Sequence, residues 1–277
     1  MMRAAFLLPL ALLAPSIAAA QQQAGDRFQL VRTTLVEQRG PGTMRSSQNS
    51  DALIERIVAV TPAGVELEYS LPPGSQGGDW TFPVRVFQPQ DGPRQLRDRA
   101  ALEARIDKWL KDANLTRAAC GHWVAGWTAF RIECDPDTAL RTVDAFAIGQ
   151  LKLVDGAPYA DAQAARPAPL RARPDGKGFT AELAVDPAAI RDELARADVA
   201  AAEIGGQALG LDAARKAHAG DQIAGTIKVT IDLAGTISRR TRIATWTITR
   251  SGRTETRTTT ERVERRPIQQ RVDPNSI

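Results

Sequence analysis

TIKVTIDLAGTISRRTRIATWTITRSGRTETRTTTERVERR, residues 226–266, is the stretch that sets the fold. Ile227, Val229, Ile231 and Leu233 alternate with Thr226, Lys228, Thr230 and Asp232. A period of two gives a strand one apolar and one polar face. Ala234-Gly235 then makes a tight turn before Thr236–Arg250, and Ser251-Gly252 makes a second before Thr254–Arg265. Short glycine-containing links between such runs mark hairpins. The chain is therefore expected to end in a three-stranded antiparallel meander, one face buried and one wet.

The same pattern recurs towards the N-terminus. Val65, Leu67, Tyr69 and Leu71 alternate with polar residues, and Thr61-Pro62-Ala63-Gly64 separates them from Leu53–Val60. Trp80, Phe82, Val84 and Val86 form another alternating set; Pro83 cannot donate to a ladder, which predicts an edge strand or a bulge there. Helices are expected between the two groups of strands. Leu102, Ile106, Trp109, Leu110 and Ala113 fall on one helical face between Asp98 and Asn114. Asp186-Pro187 is a helix start with an apolar stripe of Ile190, Leu194, Ala197 and Ala201 behind it, and Asp135-Pro136 repeats the signal before Leu140, Val143 and Ala147. The run 155–175 is rich in alanine, proline and arginine and reads as a loop or a division between lobes, and the polar tail 267–277 as disorder.

Strands at both ends with helices between them give an α+β class. The expected form is a curved, half-barrel-like antiparallel sheet built from the N- and C-terminal strands, with the middle helices packed on it, as a single domain over residues 21–266. This layout is similar to the half-barrel of periplasmic lipid and lipoprotein carriers. The likeness is one of architecture, carried by no residue motif, and it transfers no site residues.

Residues 1–20 point to the compartment. Arg3 supplies a positive start, Leu8, Leu10, Leu12 and Leu13 an apolar centre, and Ala18-Ala19-Ala20 a small-residue cleavage site, the layout of a secretory signal peptide cut near Ala20. Its apolar run is shorter than the about twenty residues that span a bilayer. Gln21 stands where a lipoprotein would need cysteine. A soluble periplasmic or secreted protein is expected, with no transmembrane segment. The two cysteines, Cys120 and Cys134, are expected to be bridged in an oxidising compartment. A metal site is not expected, because two thiols and His122 fall short of the four ligands of structural zinc.

Two features could carry function. Cys120-Gly121-His122-Trp123-Val124-Ala125-Gly126-Trp127 gathers a titratable imidazole and two indoles on a hairpin, so His122, Trp123 and Trp127 are candidate ligand contacts. The competing reading packs these aromatics into the core, with Phe130, Ile132 and Cys134 on one strand face. The second feature is the arginine excess after Arg239. Arg253, Arg257 and Arg262 are candidate contacts to an anionic surface, against the alternative of a solvated face that discourages edge association. The whole chain carries a formal charge of only +4. No nucleotide loop, cofactor motif or Gly-x-Ser-x-Gly elbow occurs, and His218 reads as a helix-end cation. Nucleic acid is not expected as a partner, because the compartment is wrong and no stacking aromatics are interleaved with the arginines. The leading expectation is a non-enzymatic module binding an envelope lipid, cell-wall polymer or other anionic component. A structural or protein-interaction factor of an envelope complex comes second, and a hydrolase using an unmarked carboxylate or His122 site third.

Overall fold

The computed structural model describes residues 23–75, 80–124, 129–148, 153–235 and 237–268. Residues 1–20 with the Ala20 cleavage point, Trp127, and residues 269–277 of the tail lie outside the described residues. Two long strands open the chain, β1 (Arg27–Gly40) and β2 (Thr43–Thr61), followed by β3 (Gly64–Ser70), β4 (Val84–Pro89) and β5 (Gln95–Leu96). Next come α1 (Arg99–Asp112), β6 (Trp123–Val124), β7 (Phe130–Arg131) and α2 (Asp137–Ala145). Three two-residue strands lead on: β8 (Pro158–Tyr159), β9 (Ala168–Pro169) and β10 (Arg171–Ala172). The remainder is β11 (Gly178–Ala184), α3 (Pro187–Ile204), α4 (Leu211–His218), β12 (Gln222–Ala234), β13 (Ile237–Arg250) and β14 (Arg253–Pro267).

Ten strands form one open sheet in the order β10-β11-β12-β13-β14-β1-β2-β3-β4-β5. Every pairing in it is antiparallel. The predicted meander is present, and its last strand pairs with the first strand of the chain, Phe28 opposite Pro267 through Arg39 opposite Thr256. The α+β class holds, with N- and C-terminal strands in one sheet. Ser251 and Gly252 both have positive φ, 49° and 75°. That is the type I′ geometry whose twist matches the flanking strands.

One face of this sheet is buried in two places. The first core gathers Phe28, Leu30, Leu53, Ile57, Leu67, Tyr69, Val84 and Val86 from the strands with Leu102, Ile106 and Leu110 of α1 and Ala139 and Val143 of α2. The second gathers Leu183, Ile227, Val229, Ile231, Ala244 and Trp246 with Ile190 of α3. The alternating residues of 226–233 are the inner wall of that second core. Asp186 caps α3 by accepting from the Ala188 N–H at 2.9 Å.

Several local expectations are corrected. The strand expected from Trp80 begins only at Val84, after Pro83. Proline has no N–H for the ladder, and Trp80 instead donates its indole N–H to the Glu133 carbonyl at 2.8 Å. The 155–175 run is not bare loop: β8, β9 and β10 lie in it, and Tyr159 and Leu170 are buried in the second core. Pro267 belongs to β14, and Ile268 donates its N–H to the Arg27 carbonyl, so these two residues are not part of a disordered tail. The stripe of α3 stops early, with Ala197 and Ala201 exposed while Ala195 is buried.

Candidate functional site

The disulfide joins Cys120 and Cys134, Cα atoms 5.6 Å apart, at the edge of the first core. β6 and β7 pair as a hairpin inside the loop that it closes. Ile132 is buried behind them, but Phe130 is 49% exposed, so the expected packing of Phe130 in the core is wrong. Strand geometry here lasts only from Phe130 to Arg131, and the face shared with Ile132 and Cys134 is lost. His122 and Trp123 dock on α3. Glu203 of that helix accepts from the Trp123 backbone N–H at 3.2 Å and meets His122 Nδ1 at 3.1 Å. The Trp123 N–H, then His122, hold the Glu203 carboxyl below its ordinary value. His122 is thus engaged with a carboxylate, although its side chain is 69% exposed. Trp127, the third member of the set, lies outside the described residues.

The three arginines do not share a face. The register of β14 against β13 runs unbroken, placing Arg257 opposite Trp246 and Arg262 opposite Thr241. Residues five apart on an unbroken strand point to opposite sides. Arg257 lies over the Trp246 ring at 5.5 Å on the core side and meets Glu193 of α3 at 3.7 Å. Arg262 is on the other face, bonded to Glu264 at 3.1 Å. Arg253 stands exposed at the β13–β14 turn. Arg253, Arg257 and Arg262, the candidate contacts to an anionic surface, are therefore not brought together on one face of the sheet.

The wider arginine excess is answered by acids from distant parts of the chain. Arg240 pairs with Glu261 at 2.9 Å, and Arg32 reaches the same carboxylate at 2.6 Å. Arg265 pairs with Glu55 at 2.8 Å, and Glu55 in turn accepts from the Tyr69 hydroxyl at 2.9 Å. Arg242 grips Asp161 with two bonds of 2.6 and 2.9 Å. Burial pushes the Asp161 carboxyl up, but the bonds and charge of Arg242, the Gln163 N–H and the charge of Arg240 together outweigh it and the net shift is downward. These pairs form a polar seam between the two cores. Bidentate Arg–carboxylate geometry suits such a seam, since buried charges need both partners and satisfied hydrogen bonds.

The capacious opening lies beside this seam, where β3 leaves β2. A cleft of about 660 Å³ runs between β2 and α2. Leu53, Leu71, Phe82, Ala145 and Phe146 give it apolar walls, while Arg32, Asp51 and Arg141 bring charge to it. Arg141 is also bonded to Asp135 at 3.1 Å and to Thr138 at 2.7 Å. None of the candidate site residues named from the sequence lines this cleft, although Leu71 and Phe82 read as strand residues. Its lining comes from strands and a helix far apart in the chain, and only the Asp135-Pro136 helix start pointed towards it.

A second grouping was also missed. His218, the last residue of α4, is 3% exposed and lies between Asp198 of α3, 2.8 Å from Nε2, and Asp221, 2.9 Å from Nδ1. Arg250 donates to both Asp221 oxygens at 2.7 and 2.5 Å and approaches His218 Nδ1 at 2.5 Å. Nδ1 can serve only one of these neighbours, donating to Asp221 or accepting from Arg250. Among the described residues no group of three or more histidine, cysteine and carboxylate side chains could hold a metal ion. No described helix is long and apolar enough to cross a membrane.

No family model matches this sequence. No curated protein matches it either. Among solved structures the chain is similar to a lipovitellin structure described as showing lipid–protein interactions. The identity is 10%, the TM-score is 0.30, and the match covers 90% of this chain and 26% of that one. The chain thus spans about a quarter of the length of that neighbour, and a likeness at this score carries no argument about what it binds.

Proposed function

We propose that this chain is an exported, non-enzymatic binding module whose ligand is an amphiphilic envelope component with an anionic head. The observation that carries the reading is the cleft between β2 and α2. Its walls pair a run of apolar side chains with Arg32 and Arg141. Ligand sites are typically concave and mainly apolar, with a few polar groups that fix orientation. Arg141 and Arg32 suit a carboxylate or phosphate head, and Phe82, Leu71 and Phe146 suit a hydrocarbon tail. Export is supported by the signal-like residues 1–20, and the Cys120–Cys134 bridge fits an oxidising compartment. Both histidines are engaged by α3 carboxylates and neither lines the cleft, which favours binding over a histidine-based hydrolase. Within this reading the ten-stranded sheet is the curved, half-barrel-like frame that holds the cleft open.

The test is binding of a fluorescent fatty acid and of its uncharged alcohol analogue to the purified chain. Thr142→Trp fills the cleft from α2 and should weaken both probes by about tenfold or more. Arg141→Gln should weaken the acid and leave the alcohol unchanged. No binding of either probe, or equal binding by the native chain and Thr142→Trp, overturns the assignment.

A further inference from the structure

β2 is longer than the strand that covers it. On one side it pairs with β1 along its whole first part, from Gly40 opposite Thr43 to Arg27 opposite Arg56. On the other side β3 pairs with it only from Ile54, opposite Ser70, to Thr61, opposite Gly64. Among the described residues, 43–53 therefore have a strand partner on one edge alone, and Thr43–Asp51 are all exposed. In an antiparallel ladder alternate residues of such a strand point their N–H and C=O groups outward.

The two ends of the sheet differ from this stretch. β5 and β10, the terminal strands, are two residues long. Short edge strands are a common protection against strand addition. The free stretch of β2 has no such protection. It contains no proline and no lysine, its register with β1 is unbroken, and the bulge of β2 lies at Ile57/Ala59, beneath β3.

We propose that residues 43–51 of β2 are a pairing edge through which two copies of this chain associate, antiparallel about a twofold axis at Ser47. A twofold axis through an antiparallel pair places residues of the same parity opposite one another, so the patch is self-complementary. Centred on Ser47, it sets Thr43 opposite Asp51 of the second copy and Arg45 opposite Asn49 of the second copy. Arg45 is then the diagonal neighbour of Asp51 of the second copy, within reach of a long side chain. Arg45 and Asp51 are the two charges of the stretch, they lie on the same face, and the operation brings opposite signs together twice. Asp51 currently accepts only from the neighbouring Asn49, at 3.0 Å, among its described contacts. Moving the axis to Gln48 would press the Pro41-Gly42 turn of one copy against Ser70 at the end of β3 in the other, which is why Ser47 is the centre. On the opposite face Met44, 65% exposed, meets Ser50 of the second copy.

Sedimentation equilibrium of the disulfide-bonded chain over a dilution series tests this. The native chain should show a reversible monomer–dimer equilibrium. Arg45→Asp and Asp51→Arg should each raise its dissociation constant by about tenfold, because like charges replace both pairs. A one-to-one mixture of the two variants should recover the native affinity. Circular dichroism identical to the native chain separates a pairing defect from a folding one. Amides of residues 43–51 should gain protection from hydrogen exchange on association. A native chain monomeric throughout, or a dimer indifferent to both substitutions, overturns the proposal. Asp51 also lines the cleft, whereas Arg45 does not, so the Arg45→Asp result separates a failure of this proposal from a failure of the amphiphile reading.

Discussion

Asp221 shows how much a single side chain can depend on partners that local sequence does not reveal. The sequence around His218 marks a helix end where a cation suits the dipole. It does not show that Asp198 arrives from α3, Asp221 from the link just before β12 and Arg250 from the end of β13. Arg250 lowers the Asp221 carboxyl to about 2 from an ordinary 3.8; burial opposes this and His218 assists it. A depressed carboxylate contributes stability above its unfolded pKa and loses it as pH falls through the folded one. The contribution of Asp221 is thus complete above about pH 4 and disappears by about pH 2. A shift of this size corresponds to roughly 2 kcal/mol. Urea unfolding of the native chain and of Asp221→Asn should give a stability difference that shrinks by roughly that amount across the window. Because other carboxylates titrate in both proteins, only the difference is diagnostic. A pH-independent difference would show that Asp221 is not held ionised by Arg250.

At the scale of elements, legibility followed how local the signal was. The C-terminal hairpins could be read because Ala234-Gly235 and Ser251-Gly252 sit directly between alternating runs. Helix α3 could be read because Asp186-Pro187 is a start signal in itself. β1 and the first half of β2 escaped, since Thr33–Gly40 and Thr43–Asp51 are mostly polar on both faces and show no apolar period. Only pairing with β14 on one side and β1 on the other makes strands of them. The cleft was invisible for the same reason: Leu53, Leu71, Phe82 and Phe146 each look like ordinary core residues until β3 departs from β2. The disulfide was legible from the cysteine count and the signal-like residues 1–20 alone. It closes a separation of 14 residues holding the β6–β7 hairpin, whose Phe130 is largely exposed. With so little burial of its own, that hairpin should rely on the bridge. The chain-entropy model gives about 3 kcal/mol for a loop of this size. A Cys120→Ala, Cys134→Ala double variant should therefore lose about 3 kcal/mol in urea unfolding, with the greatest gain in hydrogen exchange confined to residues 120–134. Exchange that rises equally throughout the chain would mean that the bridge supports the whole fold instead.

Across the whole molecule the decisive feature is one backbone ladder under two separate apolar cores. The first core holds Trp80 and is packed by α1 and α2; the second holds Trp246 and is packed by α3. Between them the inner face is charged, and Arg32, Glu261 and Arg240 link β1, β14 and β13 side chain to side chain. Two effects compete at this seam. Charged pairs give less cohesion than apolar contact once desolvation is subtracted, which would let the cores unfold separately. Against that, β13, β14 and β1 pair continuously over twelve or more residues, so opening one half strips hydrogen bonds from strands that the other half needs. Each net backbone bond is worth about 1 kcal/mol, and the ladder crosses the seam on every one of these strands. The ladder should win. Ile57→Ala in the first core and Ile227→Ala in the second each remove a fully buried side chain and should cost about 2–5 kcal/mol. Each should lower the midpoint of one shared transition, whether it is followed by tryptophan fluorescence or by far-ultraviolet circular dichroism. If Ile227→Ala instead splits the curve, with one phase left at the native midpoint, the seam is a boundary between two cooperative units. The Arg–Glu pairs would then be an interface between them and not an interior feature of a single one.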